Sequence, residues 1–589
     1  MFALYFILIT ALSFSGLQLF CKICLATGTV TEFPFVNTSN GPVKGLYHRT
    51  PSGNIGAQFL GIPYAQPPVG RLRFMAPQRA IPWTQTLDLT TFPAACYQVK
   101  PTKPGVEFNR SEDCLTLNLF APVQNFATKN LTLHPVMIYI FGGAFDIGST
   151  NDFNKPDPLV DNFVSRGVVL IFINYRVNIF SQFTTGSDDA PGNNGLKDVI
   201  FGLRWVQADV AKFGGDPAKV TIFGESSGGM YVSMLSVSPV TEGLFQQAIP
   251  MSGPAILSQD PNLVTVDEAV NGPEIDVFRR VATQLGCNKN FDWESKQFLK
   301  VLSCMQQQDK DAILNAYFSQ PDSNIASNVR VDGPDGVIPR PLNQLAAVRR
   351  PLPYLTGTTA KEIVLFAGIR INETTSANAN AACYAISATF AINAVAKIVQ
   401  ACRNHYGIDK LSHPDTDHEY WYNKTIRIQN DLFFTSCYAD AYTMRQAYLN
   451  SRAQVQTPPV YLYSFEYVKK GLEAFAPWHA IDLWHLFDFG VYPAELAPLG
   501  NKTEDDRKID AILSELFVNF AKFGNPTPDR LASDEGQRTL AFAKWDRLNA
   551  PVGFNYYHID LPKPRMKPFY HFDAIQFWNT VVPYVNKFS

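Results

Sequence analysis

The sequence predicts an α/β protein: a large, mostly parallel central sheet with helices on both faces. Three features predict it. Short apolar runs rich in β-branched residues recur over several hundred residues. Helical patterns lie between them, and that alternation marks a wound sheet. The runs are apolar along most of their length, as in strands covered on both faces.

Taken in order, the strands are Val136–Phe141, Val168–Tyr175, Val220–Gly224, Ala248–Ser252, Tyr354–Gly357 and Val460–Phe465. The clearest helical patterns are Gly195–Phe213 and Ser226–Val237. Two stretches, the Ser/Ala/Asn-rich Thr374–Ala382 and the polar Asp409–Lys424, read as surface excursions. No repeat or low-complexity linker interrupts the pattern, so residues 27–589 are expected to form one domain.

Composition narrows the function. The chain has 589 residues, 46 % hydrophobic and 17 % charged, which is globular and not disordered. Lysine and arginine number 50 against 52 acidic residues, with no basic run. Such a chain lacks the electrostatic footprint of a nucleic-acid binder.

Residues 1–20 carry no charged side chain, and Phe2–Leu12 has the length of a signal-peptide core. Small residues at Ser13, Ser15, Gly16 and Ala26 put cleavage between residues 15 and 26, so residues 1–26 are read as a signal peptide. The same stretch is nearly long enough to be an uncleaved anchor. No second run of that length follows, which predicts a secreted protein with no stable membrane anchor once the signal is removed. Six Asn-x-Ser/Thr tripeptides, at Asn37, Asn109, Asn130, Asn372, Asn423 and Asn501, suit a glycoprotein. Of nine cysteines, Cys21 and Cys24 would leave with the signal. The remainder is odd, so at least one thiol lacks an intramolecular partner.

The strongest chemical signal is Gly224-Glu-Ser226-Ser-Gly228 between a strand and a helix. This context defines a nucleophile elbow. The glycines make room for the close strand and helix, and the Ser226 hydroxyl stands proud of the sheet. N–H groups at the new helix start favour negative charge there. Ser227 N–H is one expected oxyanion donor, by position. The Gly-rich loop Phe141-Gly-Gly143-Ala144-Phe145, after an earlier strand, is the expected source of the others.

A serine hydroxyl needs a base. Downstream histidines His405, His413 and His418 lie in polar surroundings and read as solvated; His558 and His571 lie near the C-terminus. His479 and His485, in Pro-Trp-His-Ala-Ile-Asp-Leu-Trp-His, both remain open on pattern alone. His479 sits at a loop-to-helix junction, where such bases are found. The acid is Glu362, beyond the strand ending at Gly357, where open α/β sheets place their ligands. A solvated loop glutamate is the equal alternative.

These residues bring a family into view. The chain resembles the type-B carboxylesterase/cholinesterase family of α/β-hydrolases along nearly its whole mature length. The landmarks run in family order: Phe59-Leu-Gly-Ile-Pro-Tyr-Ala65, Arg71-Leu-Arg-Phe74, Glu112-Asp-Cys114-Leu-Thr-Leu-Asn118, Asn174-Tyr-Arg176, Phe213-Gly-Gly-Asp-Pro217, the elbow, and Met251-Ser-Gly253. The resemblance implies a triad of Ser226, Glu362 and His479, because the family's His-Gly-x-Glu-Leu falls on His479-Ala-Ile-Asp-Leu483. It implies Gly143, Ala144 and Ser227 as oxyanion donors. It implies bridges Cys96–Cys114 and Cys287–Cys304; the third family bridge loses its C-terminal partner at Ile575, leaving Cys437 free and Cys383–Cys402 as an extra bridge.

Three departures stand out: Phe141 for His or Tyr, Ser227 for alanine and Asp482 for glutamate. The first bears on the pocket wall and on the bonds that tether the oxyanion loop. The implied activity is hydrolysis of small-molecule carboxylic esters through an acyl-enzyme, with no metal or organic cofactor. A cholinesterase-like enzyme is an alternative, disfavoured because Tyr97–Asp113 holds no tryptophan and Leu365 stands where an aromatic is expected, with only Phe366 beside it. Gly-Glu-Ser, not Gly-Gln-Ser, weakly disfavours a juvenile hormone esterase. A second alternative is an adhesion protein of the same fold, against which the intact triad argues. Hydrolysis is expected to fall at low pH as the imidazole protonates, with an apparent pKa within about one unit of 6.5.

Overall fold

The computed structural model describes residues 33–582, apart from internal segments of which 100–108, 256–272, 289–297, 324–328, 366–370, 451–458, 491–498, 529–542 and 549–554 are the longest. The signal segment 1–26 and Phe366 lie outside the described residues, as do most of the loop between Cys96 and Cys114 and the side chain of Leu365.

Eleven strands form the central sheet. In chain order they are β1 (Leu46–Arg49), β2 (Ile55–Pro63), β3 (Thr116–Pro122), β4 (His134–Ile140), β5 (Val169–Ile173), β6 (Gly215–Glu225), β7 (Gln247–Met251), β8 (Tyr354–Thr359), β9 (Val460–Phe465), β10 (Tyr556–Ile559) and β11 (Arg565–Lys567). Their spatial order is β11-β10-β9-β8-β7-β6-β4-β5-β3-β2-β1. From β5 to β10 every neighbouring pair is parallel; the remaining pairs at both edges are antiparallel. Every residue of β5, β7, β8 and β9 is buried, which requires cover on both faces. The expected strands are all present, and the sheet is mostly parallel as predicted.

The helices that matter to the site are α1 (Asn194–Asp209), α2 (Ser227–Val237), α3 (Ser376–Phe390), α4 (Val395–Tyr406), α5 (His418–Asn450), α6 (Ile481–Phe487) and α7 (Glu504–Phe523). Their ends follow local chemistry. At α7, Thr503 and Asp506 form a capping box, three acidic residues open the first turn, and Gly524 closes the helix at φ 64°. The aromatic rings of Tyr139, Phe153, Phe172, Phe223 and Phe487 meet mostly edge to face and join β4, β5, β6 and α6.

Two sequence expectations are corrected. Thr374–Ala382 is not a surface excursion: α3 begins at Ser376, and Ala379, Ala382 and Cys383 are buried against Ile398, Cys402 and Trp421. Small side chains at helical spacing let α3 pack closely there. Asp409–Lys424 is exposed only in part, since α5 starts at His418 and buries Trp421.

Three cysteine pairs stand at disulfide distance: Cys96 with Cys114, Cys287 with Cys304, and Cys383 with Cys402. Cys437 is free and buried on α5. All six sequon asparagines are exposed. Among the described residues, no helix is long and apolar enough to cross a membrane.

Candidate active site

Strand register assembles the site. Gly224 on β6 lies opposite Ile140 on β4, so the segments that follow, Phe141–Ala144 and Glu225–Ser227, emerge side by side. On the other flank Glu225 pairs with Met251 of β7, and Met251 with Gly357 of β8. Ser252 and Glu362 follow those strand ends. All of these groups stand where ligands bind in open α/β sheets.

Ser226 occupies the sharp turn between β6 and α2, at φ 57° and ψ −130°. A non-glycine residue persists there only if its surroundings hold it. Its N–H donates to Met251 O (3.0 Å), and its carbonyl accepts from Met230 N–H (2.9 Å). The elbow glycines are sterically required: a Cβ on Gly224 would lie 2.5 Å from Ile140 O, and one on Gly228 2.1 Å from the same oxygen.

A backbone bridge joins the acid and base loops. Lys361 and Trp478 pair in parallel, with Lys361 N–H donating to Pro477 O at 3.0 Å. The next residue on each loop is Glu362 and His479, so the bridge sets them together. Glu362 is fully buried. Its Oε1 accepts from Ser252 Oγ (2.7 Å) and Thr359 N–H (2.6 Å). Its Oε2 takes the short contact to His479 Nδ1. His479 Nε2 lies 2.9 Å from Oε1 of Glu225, the neighbour of Ser226. Phe433 of α5 stands edge-on to the imidazole at 5.7 Å.

His485 is placed elsewhere. Its Nδ1 pairs with Asp510 of α7 at 2.7 Å, and its ring is buried among Phe465, Tyr467 and Trp484. His405, His413 and His418 engage Phe577, Asp417 and the Thr374 carbonyl, respectively, and not the elbow.

The Phe141–Phe145 loop carries an unusual backbone. Gly143 has φ 136°, Ala144 55° and Phe145 62°. Phe145 O accepts from Asn178 N–H (2.7 Å), and Phe145 N–H donates to Ser227 Oγ (3.2 Å). Gln98 holds the far end through both backbone groups of Gly148, each at 2.8 Å. Phe141 is buried and stacks on Tyr175 at 4.1 Å, while Tyr175 OH donates to Phe141 O (2.5 Å). Tyr175 thus ties the Phe141 backbone, at the start of the loop, to the segment after β5. Ser227 opens α2, so its N–H has no carbonyl partner within the helix.

Three groups here carried no assigned role in the sequence. Ser252 fixes Glu362; its only signal was the Met-Ser-Gly after a strand. Glu225 faces the imidazole, and Asp482, fully buried, lies in the first turn of α6. Burial opposes charge on His479, but Glu225 and Glu362 outweigh it and hold the imidazole well above the usual histidine range. Burial pushes the Glu225 carboxyl up, against the pull of His479. Burial and then the Glu225 and Glu362 charges push Asp482 well up, which favours its neutral acid. Two carboxylates, and not one, meet the ring nitrogens.

Residues 32–578 match the profile of the Carboxylesterase family. Esterase cest-33 of Caenorhabditis elegans is 30% identical over 568 residues, covering 92% of this chain and 93% of its own. Pyrethroid hydrolase Ces2e of Rattus norvegicus is 30% identical over 538 residues, 87% of this chain and 86% of its own. Neuroligin-2 of Mus musculus is 29% identical over 613 residues, 95% of this chain and 69% of its own.

Proposed function

The chain belongs to the carboxylesterase family, and from that premise we propose that it is a secreted serine hydrolase that cleaves small-molecule carboxylic esters through an acyl-enzyme on Ser226. The observation that carries this reading is the strained Ser226 elbow beside a buried His479–Glu362 pair, with His479 Nε2 2.9 Å from Glu225, the neighbour of Ser226. His479, held by Glu362, takes the Ser226 proton as the hydroxyl attacks the ester carbonyl. The N–H groups of Gly143, Ala144 and Ser227 receive the oxyanion. His479 then protonates the leaving alcohol, and a water repeats the sequence on the acyl-enzyme. The imidazole must be neutral to begin, so its raised pKa sets the acid limit of activity.

In this reading residues 1–26 direct the chain into the secretory route, residues 27–589 act as one unit, and the three cysteine pairs are bridges. Two esterases at 30% identity over most of the chain support the enzyme. The neuroligin-2 match favours a second reading, a protein that works through its surface without hydrolysis.

A fluorophosphonate probe separates them. The protein should label at Ser226 and hydrolyse short-chain aryl and alkyl esters. S226A should lose labelling and about 10⁴-fold or more of kcat. A folded wild-type protein that neither labels nor hydrolyses any ester would overturn the hydrolase in favour of the second reading.

A further inference from the structure

We propose that the Ser227 hydroxyl is a positioning group that fixes the two halves of the oxyanion hole against each other. The inference rests on the hydrolase reading above. The two halves come from different strands. Gly143 and Ala144 follow β4, whereas the third donor, Ser227 N–H, opens α2 after β6. Catalysis needs all three aimed at one point where charge develops.

The β4 half is not held by its own conformational preference. Ala144 and Phe145 are consecutive non-glycine residues at φ 55° and 62°. Such a pair persists only when its surroundings over-determine it. Phe145 is fixed at both backbone groups. Asn178 N–H takes its carbonyl at 2.7 Å, tying the loop to the segment after β5. Its own N–H donates to Ser227 Oγ at 3.2 Å in a buried bond, tying the loop to the helix that carries the third donor. The Phe145 ring lies against Tyr231 of the same helix at 4.9 Å. One residue thus presents an oxyanion donor from its backbone and anchors the opposite donors through its side chain.

Two departures from the family pattern answer each other here. Phe141 offers no polar side-chain tether to the loop, and Ser227 adds one that alanine lacks. An alanine at 227 would leave the buried Phe145 N–H without this acceptor and let the loop shift relative to α2.

The test compares wild type, S227A and S227T, each with active sites counted by fluorophosphonate titration. Removing a whole oxyanion donor costs about 10²–10³ in kcat, so displacing two of them slightly should cost about tenfold. S227A should show that fall in kcat with KM nearly unchanged. Its affinity for a trifluoromethyl ketone, which forms an oxyanion on the serine, should weaken by the same factor. S227T keeps the oxygen and should recover to within about threefold. If S227A does not fold, S227C, with a weaker acceptor of similar size, carries the same comparison. S227A equal to wild type in kcat and ketone affinity overturns the inference and leaves the hydrolase standing. So does a lower kcat with unchanged ketone affinity, or S227T as slow as S227A. A wild type without labelling or hydrolysis overturns both.

Discussion

Replacing Glu225 by glutamine should move the acid limb of hydrolysis to lower pH. The carboxylate Oε1 lies 2.9 Å from His479 Nε2, and the other face of the ring meets Glu362. Both anions favour the imidazolium. A unit charge about 4 Å from the ring's charge centre contributes about 4 kcal/mol at an effective dielectric near 20, or about three pKa units. That figure needs a discount. Burial pushes the Glu225 carboxyl itself up, which works against its charged form. The His479 pKa should therefore fall, by less than that upper figure.

The sign follows from the role. In the proposed mechanism His479 accepts the Ser226 proton only when neutral, so kcat/KM should fall as pH drops through its pKa. E225Q lowers that pKa, so the variant should keep a larger share of its own plateau at pH 6 than wild type keeps. The assay is kcat/KM for an uncharged alkyl ester followed by pH-stat from pH 5 to 9. A limb that stays in place, or moves upward, would refute the claim that Glu225 charges the imidazole. The plateau is a separate quantity: a lower plateau with a shifted limb still supports the electrostatic reading.

Two further outcomes concern the scaffold. Cys437 is free, and burial raises its pKa to about 12, so alkylation under native conditions should leave it untouched and alkylation after unfolding without reductant should add one label beyond Cys21 and Cys24; a blocked Cys437 would contradict this. Arg349 and Asp440 form a fully buried pair at 2.6 Å, and Asp440 also accepts from Ser233 of the elbow helix (2.7 Å) and from Tyr354 of β8 (2.5 Å). R349M strands the carboxylate and should cost about 3–5 kcal/mol in urea unfolding. A cost below about 1 kcal/mol would mean the carboxylate is screened in some other way.

The parts of the site written within a dozen residues were legible in the sequence. Strand, Gly224, Ser226, Gly228 and helix are contiguous, and the steric reason for each is local. The Phe141–Phe145 loop is legible on the same ground. What joins Glu362 to His479 is not, since they lie 117 residues apart and the deciding contact is the Lys361–Trp478 bridge between loops from different strands. Pattern alone kept His485 in contention for that reason; its real partner, Asp510, sits on a helix that nothing near His485 announces. Thr374–Ala382 misled because serine, alanine and asparagine count as polar or neutral, yet Ala379, Ala382 and Cys383 fall three and four residues apart on one buried face. The second carboxylate at the imidazole was hidden in the same manner. Only Glu362 was read beside the base; Glu225 meets the ring because the Lys361–Trp478 bridge sets His479 over the end of β6. Strand order and register therefore carry the electrostatics of the site as well as its geometry. A slip of one residue between β4 and β6 would turn Ile140 and Gly224 to opposite faces and separate the oxyanion loop from the elbow, without altering a single motif.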